Sequence, residues 1–164
     1  MHGAERIETQ RLVLEPVPQE TANAIIGGDL SAVPAGEGWP HADTMDGMRH
    51  TSSTGGMLWF VTLDGVVIGD CGTHAPVAPD GTVEIGYGLS AAYRGRGLGA
   101  ELVGGLSAWL VRRPDVRRVI AGTESSNLPS RRCLEHAGFR LDGEDDGELR
   151  YVLEAAAGGA TMPA

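Results

Sequence analysis

One stretch constrains the fold more than any other: Gly81–Arg113, GTVEIGYGLSAAYRGRGLGAELVGGLSAWLVRR. Val83, Ile85 and Tyr87 alternate with Glu84, Gly86 and Gly88, the period of a strand. Leu98, Leu102, Val103, Leu106, Trp109 and Leu110 then recur at the helical period. Between them lies the turn Arg94-Gly95-Arg96-Gly97-Leu98-Gly99-Ala100. A backbone without Cβ atoms lets an anion approach closely, and the free N–H groups and positive dipole of a helix start would face it. Arg94 and Arg96 add fixed positive charge to the same turn. A phosphate-bearing ligand is expected here.

Several turns share this chemistry. A P-loop would require Gly-Lys-Ser or Gly-Lys-Thr, and the chain contains no lysine. A dinucleotide turn fits the spacing, because Gly95-x-Gly97-x-x-Ala100 has the G-x-G-x-x-G/A form. Glu124 ends the next strand, where a ribose-binding acid would sit. A tight turn with no ligand is the plain alternative. The order of the other elements separates these readings.

Thr9–Pro16 reads as a first strand ended by proline, and Pro18 opens a helix to about Ile26, stopped by Gly27-Gly28. A Gly- and Pro-containing loop over residues 29–41 leads to a short helix over Asp43–His50, with Asp43 as its cap. Met57–Leu63 and Val66–Thr73 form a hairpin around Asp64-Gly65, and Thr82–Leu89 is the next strand. After the Gly97–Arg112 helix come a strand (Val116–Thr123), a helix (Pro129–Ala137) closed by Gly138, and a strand (Phe139–Asp142). An acidic loop (Gly143–Gly147) and a last strand (Glu148–Glu154) complete the series. Residues 1–154 are expected to form one domain and 155–164 a flexible tail. A dinucleotide fold needs its glycine turn after the first strand of a parallel series. Here three hairpin-type strands precede the turn, which argues against that fold.

At 164 residues, 41% hydrophobic and 21% charged, the chain is expected to be a soluble globular domain able to bury a core. No apolar run reaches the length of a membrane span, and MHGAERIETQ has no signal-peptide pattern, so no membrane partner is expected. Cys71 and Cys133 form neither a disulfide framework nor a zinc pattern, which suits the cytoplasm, and the five scattered histidines suggest no metal. Charge is distributed unevenly. Residues 1–80 carry three arginines against 11 acids, and residues 81–164 carry ten against 11. An acidic first half disfavours nucleic acid and favours a small cationic partner, although acids that only keep a surface soluble would look the same.

Arg94-Gly95-Arg96-Gly97-Leu98-Gly99 has the form (Arg/Gln)-x-x-Gly-x-(Gly/Ala), preceded by Leu89-Ser90-Ala91-Ala92-Tyr93. Together with Thr9–Leu14, Val83–Tyr87 and Asn127–Phe139 in this order, it resembles the GCN5-related N-acetyltransferases over nearly the whole chain. The branch it resembles contains ribosomal-protein alanine acetyltransferases and small-molecule acetyltransferases. The resemblance implies an α/β (α+β) fold: a mixed, mostly antiparallel seven-stranded sheet splayed after its fourth strand, flanked by about four helices. It implies acetyl-CoA as cosubstrate and allows a homodimer through an exposed edge strand.

By that resemblance the backbone of Arg94, Gly95, Arg96, Gly97, Leu98, Gly99 and Ala100 would bind the pyrophosphate. The strand edge around Leu89 would pair with the pantetheine arm, and Asn127 would bond the pantetheine or a water unless it is a plain helix cap. Glu84, an acid in an apolar strand, is the candidate general base. Relatives carry a tyrosine acid where this chain has Leu134, so Ser130 is the candidate donor to the leaving thiolate. Trp39, His41, Asp43, Asp46, Asp70, His74 and Glu84 are expected to bind the acceptor, with Trp39 against a sugar or alkyl face and carboxylates on ammonium groups. The expected activity is acetyl transfer to an amine of a small cationic molecule such as an aminoglycoside. The alternatives are acetylation of a protein N-terminus and a catalytically silent acyl-CoA-binding module.

Overall fold

A computed structural model describes residues 3–156; the part of the expected tail from residue 157 onward lies outside them. Eight strands form one sheet in the order β1-β2-β3-β4-β5-β6-β8-β7. They are β1 (Ile7–Glu8), β2 (Leu12–Pro16), β3 (Leu58–Leu63), β4 (Val66–Thr73), β5 (Thr82–Leu89), β6 (Arg118–Glu124), β7 (Arg140–Asp145) and β8 (Glu148–Glu154). Helices α1 (Gln19–Ile26), α2 (Thr44–Thr54), α3 (Leu98–Val111) and α4 (Leu128–His136) flank it. Of the strand expected over Thr9–Pro16, Leu12–Pro16 is strand and Thr9–Arg11 turn back to an added strand, Ile7–Glu8, with Ile7 opposite Leu14 and Glu8 opposite Val13, which makes eight strands where seven were expected. A two-residue strand is too short to show a period.

The β3–β4 hairpin turns on Asp64 and Gly65, both at positive φ (51° and 84°), the geometry that suits the twist of antiparallel strands. β4 is buried from Val67 to Thr73 because layers cover both its faces. On one side Leu98, Leu102, Val103, Leu106 and Leu110 of α3 pack into the main core. On the other, Ile25 of α1, Met48 of α2, Trp39 and Val67 form a second cluster. Burying a Leu side chain stabilises by roughly 1.5–3 kcal/mol, so α3 is held chiefly by its apolar stripe.

The sheet opens where the strand series changes direction. β5 pairs with β4 from Ile85 to Leu89, but meets β6 in parallel only at Thr82, Val83 and Glu84. Beyond Glu84 its edge toward β6 is unpaired, which is the splay expected after Thr82–Leu89. Three expectations change. α2 runs to Thr54, a full turn beyond His50. Asp43 occupies the N-cap position of α2, but its side chain makes no capping bond. The acidic loop expected at Gly143–Gly147 is mostly strand, since cross-strand pairing with β8 reaches Asp145 and only Asp146-Gly147 turn. Among the described residues no helix is long and apolar enough to cross a membrane.

Candidate active site

The glycine turn leads into the first turn of α3. Gly95 and Gly97 adopt φ of 80° and 79°, a left-handed region that L side chains rarely tolerate. The main-chain N–H groups from Gly95 to Ala100 have no protein acceptor among the described residues. They are therefore free to receive an anion. Arg94 Nε donates to Leu89 O (3.0 Å), and Arg96 lies over the Tyr93 ring (5.3 Å), so both guanidinium groups are anchored beside the turn. The Thr9–Leu12 segment braces it. Glu101 in the first turn of α3 accepts from Thr9 Oγ1 and from Arg11 N and Nε, while Arg11 Nη1 donates to Arg96 O (3.1 Å). Gly99 has a second reason to lack a side chain: a Cβ there would lie 2.8 Å from Cys133 Sγ on α4.

A cavity of about 350 Å³ opens between α2 and the β3–β5 face. It gathers His41, Asp43, Asp46, Asp70 and His74, five of the seven acceptor-site candidates, with His50 and Tyr87. A second cavity, of about 440 Å³, is lined by Glu84 together with Asp142, Glu144, Asp145 and Glu148 from β7 and β8. Glu84 belongs to its lining and also contacts His74 in the first, with 3.4 Å between Glu84 Oε2 and His74 Nδ1. The hydrogen-bonding interaction between them raises His74 above the ordinary imidazole value and lowers Glu84 below the ordinary carboxylate value, each against the pull of burial.

Asp70 is buried on β4, with one carboxylate oxygen engaged twice. Its Oδ2 accepts from Trp39 Nε1 (2.9 Å) and Thr44 Oγ1 (2.8 Å). His41 Nδ1 accepts from the Asp43 N–H (3.2 Å), which places the proton of the neutral ring on Nε2. That nitrogen lies 3.1 Å from the same Asp70 oxygen, without the alignment of a hydrogen bond. Asp70 Oδ1 has no protein partner among the described residues. Trp39 corrects its expected position. It is 5% exposed, edge-on to Phe60 and bonded to Asp70, so it supports the cavity floor and offers no face to a ligand.

Glycines on β5 make room for the histidines. A Cβ at Gly86 would lie 2.8 Å from His74 Nε2, and one at Gly88 would lie 2.7 Å from His41 Cε1. The same strand brings Tyr87 to α4, where its hydroxyl lies 2.8 Å from Ser130 Oγ. Burial pushes the Tyr87 phenol up to about 12. Leu134, at the position where a tyrosine would be sought, is buried in the core. A phenol reaches α4 from β5, and its sequence signal is one polar hydroxyl in the Val83–Tyr87 run. Asn127 caps α4, its Oδ1 accepting from Ser130 N (3.2 Å).

The chain matches the family described as Acetyltransferase (GNAT) domain over residues 11–140. It is 26% identical to the uncharacterized N-acetyltransferase YjdG of Bacillus subtilis, covering 83% of this chain and 90% of that one. It is 35% identical over 68 residues to a kanamycin resistance protein of Rhizobium radiobacter, covering 40% and 63% of the two chains. In fold it is similar to the ribosomal L7/L12 alpha-N-protein acetyltransferase RimL in complex with coenzyme A, with TM-score 0.68, 18% identity and coverage of 92% and 98%. It is also similar in fold to aminoglycoside acetyltransferase AAC(6')-Ib in complex with coenzyme A, with TM-score 0.65, 22% identity and coverage of 92% and 99%.

Proposed function

The chain belongs to the GNAT acetyltransferase domain family, and from that premise we propose that it transfers an acetyl group from acetyl-CoA to a primary amine of a small polycationic molecule of the aminoglycoside type. The observation that carries the acceptor class is the placement of Glu84 between two carboxylate-lined cavities. Asp43, Asp46 and Asp70 line one, and Asp142, Glu144, Asp145 and Glu148 line the other. A molecule with several ammonium groups around a polar ring complements such a surface, and charge-assisted hydrogen bonds to carboxylates would orient it. The local likeness to a kanamycin resistance protein supports the same class.

Free N–H groups at the start of α3 and the positive end of its dipole fit the pyrophosphate of acetyl-CoA, with Arg94 and Arg96 beside them. The open edge of β5 near Leu89, with Asn127 across the splay, suits the pantetheine arm. Bound acetyl-CoA would supply an electrophilic thioester carbonyl. The chain's own contribution is to orient the amine against it, receive a proton through the Glu84–His74 pair, and meet the departing sulfur with a hydroxyl donor. The Tyr87 phenol stays protonated at neutral pH, so Tyr87 and Ser130 can donate hydrogen bonds there without ionising.

Thiol release from acetyl-CoA, measured with kanamycin, spermidine, free amino acids and peptides bearing a free N-terminus, tests the reading. Selective turnover of kanamycin is expected. Turnover confined to peptides would contradict the acceptor class, and coenzyme A binding with no turnover on any amine would contradict acetyl transfer by this chain.

A further inference from the structure

Glu84 is the obvious proton acceptor in a reading from sequence, but its carboxylate is already engaged. Its Oε2 faces His74 Nδ1 at 3.4 Å. Resting on the acetyl-transfer reading above, we propose that His74 Nε2 takes the proton from the acceptor ammonium, and that Glu84 is the positioning residue that holds the ring.

Three observations carry this. His74 lines the first cavity, and its Nε2 has no protein partner among the described residues. The ring meets β5 at Gly86 with Nε2 leading, where a Cβ would lie 2.8 Å from Nε2, 3.4 Å from Cδ2 and 3.9 Å from Cε1. A glycine inside a strand loses conformational entropy and packs nothing, so this one serves the imidazole. The third is placement. Gly86 and Tyr87 are neighbours on a strand and face opposite ways. His74 therefore sits on the α2 face of β5, and the Tyr87 hydroxyl reaches Ser130 of α4 on the other face, past Glu84, the last β5 residue paired with β6. A proton acceptor and a hydrogen-bond donor flank the open strand edge.

Other groups bear on the ring. Glu148 of β8 reinforces its positive form, His50 of α2 stands edge-on with ring centroids 5.5 Å apart, and Arg150 of β8 acts on Glu84. With Nδ1–H toward Glu84, the neutral ring keeps an unpartnered Nε2 lone pair beside Gly86, which lines the same cavity. The ammonium gives one proton to Nε2, and its freed electron pair forms the C–N bond as the thioester C–S bond breaks. The sulfur leaves with the electron pair of the broken C–S bond, and the second proton of the attacking nitrogen neutralises it as the thiol. The imidazolium then releases its proton to solvent, so the net reaction yields amide, thiol and one proton.

The test is the pH profile of kcat/KM for His74→Ala and Glu84→Gln with kanamycin, spermidine and an N-terminal peptide, with coenzyme A binding by calorimetry as the control for folding. His74→Ala is expected to lose about 100-fold or more in kcat, to keep coenzyme A binding, and to recover with added imidazole. Glu84→Gln is expected to lose less and to move the ascending limb to lower pH, because the ring has lost its anion. Wild-type kcat and profile in His74→Ala, or abolished turnover in Glu84→Gln without imidazole rescue of His74→Ala, would overturn the assignment. Peptide-only turnover that still requires His74 would uphold it while overturning the small-molecule acceptor. Wild-type chain that binds coenzyme A and acetylates none of the three would overturn both.

Discussion

Asp70 shows how a single side chain can support a cavity. Its buried carboxylate receives the Trp39 indole and the Thr44 hydroxyl, so replacing it strands two donors and leaves His41 without its anion. Asp70→Ala is expected to destabilise by about 3 kcal/mol in urea unfolding, against roughly 1 kcal/mol for Thr44→Val. The Glu84–His74 contact predicts a pH dependence. His74 is raised when folded, so its contribution is present below the ordinary imidazole value of 6.5 and is lost as pH rises through the folded value. Glu84 is lowered, so its contribution is present above 4.5 and is lost as pH falls through its folded value. The Tm difference between wild type and Glu84→Gln is therefore expected to be largest between pH 4.5 and 6.5 and to shrink toward alkaline pH. Glu84 was legible in the sequence as an acid among apolar neighbours. Trp39 was not legible as a buried residue, because what buries it, Phe60 and Asp70, arrives from strands more than 20 positions away.

The strand–turn–helix element carries the anion site, and two of its glycines act for different reasons. Gly95 meets nothing within 4 Å of a built Cβ, so only its φ of 80° demands glycine. Gly95→Ala is expected to lose about 1–2 kcal/mol of stability through left-handed strain and to weaken coenzyme A binding with it. Gly99 is a packing glycine, pressed by Cys133. Gly99→Ala alone is expected to destabilise by about 1–3 kcal/mol, and combining it with Cys133→Ala should return part of that as a coupling of about 0.5 kcal/mol or more in a double-mutant cycle. The element itself was legible because alternation, glycine punctuation and helical period follow one another without a gap. Its brace was not. Arg11 and Glu101 are 90 positions apart, and no local pattern joins them. The second half of β7, Gly143–Asp145, reads as loop because it is an exposed edge with no apolar alternation to reveal it.

At the scale of the molecule, the sheet divides labour at its splay. The arginines gather in the half that holds the anion-binding turn, and carboxylates line the two cavities around Glu84. Element order was enough to set aside a dinucleotide fold, whereas the second cavity appears only when β7 and β8 fold back toward β5. Long-range attraction of a polycation to this surface predicts that KM for kanamycin rises as salt increases from about 0.01 to 0.15 M while kcat changes little. The most direct test of the account is the mass of each acceptor after one incubation of the chain with acetyl-CoA and an equimolar mixture of kanamycin, spermidine and an N-terminal peptide. The account predicts kanamycin gaining the mass of a single acetyl group ahead of the other two. Acetylated peptide with unmodified kanamycin would contradict it.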